Sequence, residues 1–205
     1  MLVELIDRLR CPHVHEDSWL VAAVSRAEHR RLVDATLGCP VCNAEFEVRG
    51  GVVSFGEATP SAPMPATDDE VLRAAALLHV EERGLYLLDA AWGSLAPGLL
   101  VLITAEYLLV DPPAGITAAD GAGILSGVGD RWPLAGASLH GIAMDRATSA
   151  RLADALRILR AGGRLVAPAS AVLPAGAREL ARDERHWVAE KAGDVITLSR
   201  AQRQM

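Results

Sequence analysis

The chain has no basic surplus. Its formal net charge is −6, and the deficit is shared: residues 1–57 carry 9 acids and 6 bases, and residues 58–205 carry 17 acids and 14 bases. Neither part has the cationic excess that gripping a phosphate backbone requires, so a nucleic-acid partner is not expected. The sequence also lacks any apolar run near the ~18–20 residues that cross a bilayer. Its start carries Glu4 and Asp7 in place of a basic-then-apolar export pattern. The expected location is the cytoplasm, with no membrane partner. There is no Ser/His/Asp nucleophile signature, no Gly-Lys-Ser phosphate loop and no HExxH helix. Lysine is almost missing (Lys191 alone), a compositional bias without functional meaning. Cysteine is scarce but not scattered. Cys11, Cys39 and Cys42 all lie in the first quarter of the chain. An odd, clustered set in a cytosolic-looking sequence argues for metal over disulfides.

Residues 1–57 read as a small β module. Leu2, Leu5, Ile6 and Leu9 fall at helical spacing and predict a short amphipathic helix. Ser18 to Val24 and Leu32 to Leu37 read as strands around a polar turn at Ala27–Arg30, and Phe46 to Val53 as a further hairpin. Cys39-Pro40-Val41-Cys42 puts two thiolates on one side of a tight loop, at the ~2.3 Å that tetrahedral zinc asks for. Cys11 supplies a third ligand. The fourth is His13 or His15. His15 is favoured, because an imidazole four residues on can reach where a partner cysteine three residues on is replaced by Val14. Without a metal, Trp19, Phe46, Val48 and Val52 form a core too small to stand without a staple. A full four-ligand set leaves no open position, so the expected zinc is structural. His29, in Glu28-His29-Arg30-Arg31, reads as surface.

This layout resembles the zinc-ribbon family of small methyltransferase-activator proteins. The matching residues are Leu5-Ile6-Asp7-Arg8-Leu9-Arg10-Cys11-Pro12 and the run from Leu37-Gly38-Cys39-Pro40-Val41-Cys42 to Arg49-Gly50-Gly51-Val52-Val53. The resemblance implies a protein partner or self-association through this module.

Residues 58–69 hold three prolines among small polar residues and read as a linker between the module and an α/β domain over 70–205. Asp68 or Asp69 is the expected cap of a helix with Val71, Ala74, Ala75 and Leu78 on one face, running to about Glu82, with Gly84 as its stop. Leu85–Leu88 reads as a buried strand ending in Asp89, and Tyr107–Val110 as a second ending in Asp111. Ser94 is the expected cap of a helix over 95–103. Ile124-Leu125, Ser138–Met144 and Arg164–Ala167 read as further strands. Thr148 or Ser149 caps a helix ended by Gly162-Gly163, with Leu152, Ala155, Leu156 and Leu159 on its apolar face. Ala177–Arg185 reads as a short helix. Trp187–Ala189 with Val195–Leu198 reads as a closing hairpin. Strands alternating with helices predict a Rossmann-like, mostly parallel α/β sheet covered on both faces, closed by an antiparallel hairpin.

Asp111 lies 22 residues after Asp89, where a ribose-binding carboxylate belongs in a dinucleotide-type fold; the competing reading is a cap on the turn at Pro112-Pro113. With its motifs, residues 70–200 resemble the class I S-adenosylmethionine-dependent methyltransferases. Ala155-Leu156-Arg157-Ile158-Leu159-Arg160-Ala161-Gly162-Gly163-Arg164-Leu165-Val166 matches the late helix-Gly-Gly-strand segment, and Trp132–His140 is similar to the loop before the fourth strand. The resemblance implies S-adenosylmethionine as cofactor, held by Asp89, Ala91, Gly93, Asp111 and Asp130. The sequence departs from it at the first motif. Asp89 and Gly93 match, but Ala91 and Leu95 replace two of three glycines and His140 replaces an acid. Trp92 stands where it either fills or lines the cofactor space. His140, Asp130 and Asp145 are candidates to line the cleft, with turn and loop roles as the simpler reading. These departures favour a non-catalytic binding or structural subunit. The alternative is an active methyltransferase on an unknown acceptor, since methyl transfer needs mainly positioning.

Overall fold

The computed structural model describes residues 3–119 and 121–193. A 3-10 helix (Val3–Arg8) leads to four strands: β1 (Val21–Glu28), β2 (Arg31–Gly38), β3 (Glu45–Arg49) and β4 (Val52–Ser54). His29 and Arg30 both take positive φ and make the two-residue turn between β1 and β2. Residues 55–67 carry no helix or strand. Then come α1 (Asp68–Leu78), β5 (Leu85–Asp89), a 3-10 turn (Ala90–Leu95), α2 (Ala96–Leu102), β6 (Glu106–Val110), β7 (Ala122–Ser126), β8 (Leu139–Ala143), α3 (Ser149–Ile158), β9 (Leu159–Pro168), β10 (Ala177–Arg182) and β11 (His186–Lys191).

The eleven strands of the described residues form one sheet in the order β1-β2-β3-β4-β7-β6-β5-β8-β9-β11-β10. β4 through β9 run parallel, while β1–β4 pair antiparallel at one end and β9, β11 and β10 at the other. Within residues 70–193 the first five strands stand in the order third, second, first, fourth, fifth, as in a Rossmann-like fold, and the strand order switches between the parallel neighbours β5 and β8. The mixed α/β architecture expected from the sequence is thus the one observed. β5 is buried at every position, because its near-continuous apolar run is covered on both faces.

The first 57 residues do more than extend this sheet. Leu5, Leu9, Leu20, Leu32 and Leu37 pack in one core with Leu85, Leu87, Leu108 and Val110. They share one sheet face with α3, whose Leu152, Ala155 and Ile158 belong to the same core. The joint is made by backbone groups: Arg10 N–H donates to Pro133 O (3.0 Å), Ala135 N–H to Arg8 O (2.8 Å), and Leu9 bridges Leu134. α1 and α2 cover the opposite face over Tyr86, Leu88, Tyr107 and Leu109. Among the described residues, no helix is long and apolar enough to cross a membrane.

Several local expectations differ from what the chain does. Thr67 caps α1, its hydroxyl accepting from Glu70 N–H (3.3 Å); the helix stops at Leu78, with His79 in the left-handed region. Ser94 caps nothing. Its hydroxyl takes Met64 N–H (3.3 Å), and α2 starts without a side-chain cap. α3 ends at Ile158, and the two glycines lie inside β9, where Gly162 has φ 73°. Ala177–Arg182 is a strand, and the closing hairpin is β10–β11. Val195–Leu198, expected in that hairpin, lies outside the described residues.

Candidate functional site

Two places gather the residues that the sequence singles out. The first is the cysteine cluster. The turn Cys39–Cys42 is closed by Asn43, which takes φ 57° and donates its N–H to Cys39 O (2.9 Å). Cys11 arrives at the end of the 3-10 segment, paired to Ser18 O through its N–H (3.0 Å). The ligand atoms of Cys11, His15, Cys39 and Cys42 all lie within 4.8 Å of one another. Cys11 Sγ is 3.7 Å from Cys42 Sγ, and Cys39 Sγ is 3.5 Å from His15 Nε2. A tetrahedron with metal–sulfur bonds of about 2.3 Å and metal–nitrogen bonds of about 2.0–2.1 Å has edges of about 3.8 Å (S···S) and 3.5 Å (S···N). The donors therefore fit a zinc-sized ion. His15 belongs to the four-way cluster; His13 Nδ1 approaches Cys42 Sγ alone (3.6 Å) and sets its ring edge-on to Phe46. Burial pushes the Cys11 thiol up to about 12. Burial opposes ionisation of Cys39 too, but N–H groups of Cys42 and Val41 outweigh it and bring this thiol down to about 6.

The second place is the carboxyl edge of β5 and β6, the edge where a doubly wound fold places its ligand. β5 delivers Asp89 and β6 leads to Asp111, both buried. Asp89 accepts from Arg151 Nη2 (2.8 Å), Arg146 Nη2 (3.1 Å) and the N–H groups of Asp145 (3.3 Å) and Arg146 (3.1 Å). Asp111 accepts from Gly127 N–H (2.7 Å) and from the same Arg146 Nη2 (3.3 Å). One guanidinium thus bridges the two strand-end acids. Arg151 also donates to Val128 O and Gly129 O and lies over the Trp132 ring at 4.8 Å. Its burial lowers its affinity for its proton, and Asp89 opposes that.

The turn after Asp89 leaves little space. Ala90 takes φ 52° and Asp111 φ 43°, so both strand ends carry left-handed non-glycine residues. A Cβ on Gly93 would meet Pro112 Cβ at 2.8 Å, so this glycine is needed for the two turns to touch. Trp92 is buried edge-on to His186, with ring centroids 5.0 Å apart. Leu95 is fully buried among the residues under α1 and α2; it packs the core instead of obstructing the crevice. The linker crosses here too, with Ser61 Oγ donating to Asp111 O (3.1 Å). Asp130 and Asp145 are exposed, and Ala91 is half-buried. His140 stands near the start of β8, where Nδ1 accepts from Leu85 N–H (3.2 Å), away from this edge. Two features of this edge bear on a cofactor: the two acids are already paired with arginines from the same chain, and the turns after β5 and β6 are in contact.

Arg146 and Arg151 were not singled out from the sequence. Arg151 carried one legible signal. A cation in the first turn of a helix opposes the dipole, and so calls for a nearby anion.

His186 is held below its usual range by burial first, then by Arg73; Asp183 opposes, Arg185 adds to the lowering and Glu70 opposes. His140 is lowered by burial first and by Arg160 and Arg8, against Glu81 and a bond from Leu85. For both, the unfolded chain binds protons more readily than the folded one below the unperturbed His value. Stability is therefore present above about pH 6.5 and falls as the pH drops below it. Urea midpoints are expected to fall from pH 7.5 to 5.5, and to fall less in His186→Gln.

No protein-family model matches this chain, and no curated protein is similar to it in sequence. It is similar in structure to a proposed S-adenosylmethionine-dependent methyltransferase from Methanococcus maripaludis, at 10% identity, covering 62% of this chain and 86% of that one, with a TM-score of 0.49. It is also similar to a proposed methyltransferase of an antibiotic biosynthesis pathway from Anabaena variabilis (15% identity, 50% and 46% covered, TM-score 0.42). A third is a chain of a complex between a Haloferax volcanii methyltransferase activator and a proposed methyltransferase (21% identity, 47% and 49% covered, TM-score 0.40). This chain spans about half the length of the last two. These are likenesses of fold alone, and the Rossmann-like assignment rests on the strand order described above.

Proposed function

We propose that this chain is a non-catalytic, methyltransferase-like protein that serves as a binding or structural subunit, stapled by a structural zinc on Cys11, His15, Cys39 and Cys42. One observation carries the reading: Arg146 and Arg151 already neutralise Asp89 and Asp111 from within the chain. A ligand at this edge would have to displace a buried ion-pair network before making its own contacts. The N-terminal module offers a surface for a protein partner, since Trp19, Val21 and Val24 are largely exposed on and beside the edge strand β1. A cytoplasmic location suits a reduced cysteine cluster of this kind.

The alternative is an active S-adenosylmethionine-dependent methyltransferase with an unknown acceptor. It is supported by the two acids standing at adjacent strand ends. It needs Arg146, whose side chain is 27% exposed, to swing out, leaving Asp89, Ala91, Gly93, Asp111 and Asp130 to the cofactor. Titration calorimetry decides between the two. No heat is expected with S-adenosylmethionine or its demethylated product. Micromolar affinity for either would overturn the non-catalytic reading.

A further inference from the structure

α2 reads Ala-Pro-Gly-Leu-Leu-Val-Leu, and residues 95–103 contain no polar side chain. A helix that is apolar all round belongs in an interior. Only one side of α2 is in one: Ala96 and Leu99 face the core, but Val101 is 90% exposed. Leu102 is exposed beside it. On α1, Leu72 and Ala76 also face outward. The two helices lie in close contact, because a Cβ on Gly98 would meet Val71 Cγ2 at 2.6 Å. Between them runs a groove of 550 Å³. Scattered exposed apolar residues need no explanation. A groove lined by Val71, Leu72, Gly98, Val101 and Leu102 together with Asp68, beside an all-apolar helix, is the kind of surface a partner covers.

We infer that this groove is the face through which two copies of the chain associate, with α1 of each copy antiparallel across a two-fold axis near Leu72 and Ala76. The charges at the two ends of α1 identify the occupant. Asp68 and Asp69 stand exposed at its amino end, and no ion pair engages them among the described residues. Arg83 is exposed beyond its carboxyl end, where Arg164 donates to Ala76 O (3.2 Å). The acids there, Glu81 and Glu82, are outnumbered by arginine, since Arg160 pairs with Glu81. α1 is about 16 Å long, at 1.5 Å per residue. An antiparallel copy therefore brings each acidic end to the other's basic end, while the outward-facing Leu72 and Ala76 meet; Arg73 between them is paired within the chain to Glu70 and Asp183. A two-fold contact uses one patch twice, so it must be self-complementary in this way. The inference is independent of whether the cofactor edge is active, and it uses a different surface from the N-terminal module.

Sedimentation equilibrium of the full chain at micromolar concentration tests it. The expected mass is twice the 21.7 kDa of one chain. Val101→Glu places a charge in the apolar contact and is expected to weaken dimerisation roughly 100-fold. Its circular dichroism and melting as a monomer should be unchanged, because Val101 makes little contact within the chain. Val21→Glu, on the N-terminal module, should leave the dimer intact. Asp69→Arg should weaken it, and adding Arg83→Glu should restore it. A monomeric wild type would overturn the inference. So would a Val101→Glu dimer of unchanged strength, or a dimer broken by Val21→Glu. Failure of the charge swap to restore association would overturn the antiparallel arrangement.

Discussion

If Cys11, His15, Cys39 and Cys42 hold the proposed zinc, chelating it is expected to bring down the whole chain in one transition, and not to release residues 1–57 from an intact α/β core. The module has no separable interior. β4 pairs in parallel with β7 from Val52↔Ile124 to Ser54↔Ser126, so the backbone ladder runs without a break across the boundary. Leu5, Leu9, Leu32 and Leu37 share a core with Leu85, Leu87 and Leu108, and the segment 132–135 is bonded to Arg8 and Arg10. If the knuckles open, apolar surface on the central strands meets water. A structural zinc contributes about 10–16 kcal/mol of apparent binding free energy in small peptides, and binding confined to the folded state is folding free energy. If roughly 5 kcal/mol of this is lost on chelation, a chain of this size melts about 10–20 °C lower, at about 2–4 °C per kcal/mol. Scanning calorimetry with and without chelator, and of Cys39→Ser, measures this, with metal analysis expected to give one zinc per chain. Two separated transitions, or an unmoved midpoint, would sink the argument.

The sequence made the central fold legible because parallel strands buried on both faces read as apolar runs. Leu85–Leu88 and Tyr107–Val110 are such runs, and the acids after them mark the strand ends. α1 and α3 were equally plain from their apolar spacing. Ala177–Arg182 was not. Ala177, Leu180 and Ala181 fall at helical spacing among good helix formers, yet pairing with Trp187–Lys191 makes this a strand at the sheet edge. There, cross-strand packing outweighs intrinsic preference. The union of the module with the large sheet depends on three residues of β4 finding β7, some 70 positions away, and no local pattern encodes a contact of that range. At the carboxyl edge the two acids were legible as strand-end residues. Their neutralisation by Arg146 and Arg151 was not, because Asp89 and Arg151 are 62 residues apart and meet only when β8 delivers the start of α3.

That pair carries the second large effect: Arg151→Met is expected to cost about 3–5 kcal/mol, the range for breaking a buried ion pair by removing one partner. Asp89 is fully buried, and Arg151 is nearly so, with 6% of its side chain exposed. Burial lowers the proton affinity of Arg151 despite the carboxylate beside it, so desolvation outweighs the attraction between the two. Such a pair is worth little against an apolar replacement of both members, but much against removal of one. With methionine at 151, Asp89 keeps Arg146, which is partly in water, and two N–H groups at 3.1 and 3.3 Å. It loses its shortest bond, and the carbonyls of Val128 and Gly129 lose their donor. Asp89→Asn combined with Arg151→Met removes both charges, and should be more stable than Arg151→Met alone. Urea unfolding of the two single variants and the double variant, with metal held constant, measures the coupling. A double variant no more stable than Arg151→Met would mean that the charge on Asp89 is not what Arg151 holds in place. The carboxyl edge would then be shaped by packing of Trp92 and Trp132, and the proposed non-catalytic reading would rest on the contact between Gly93 and Pro112 alone.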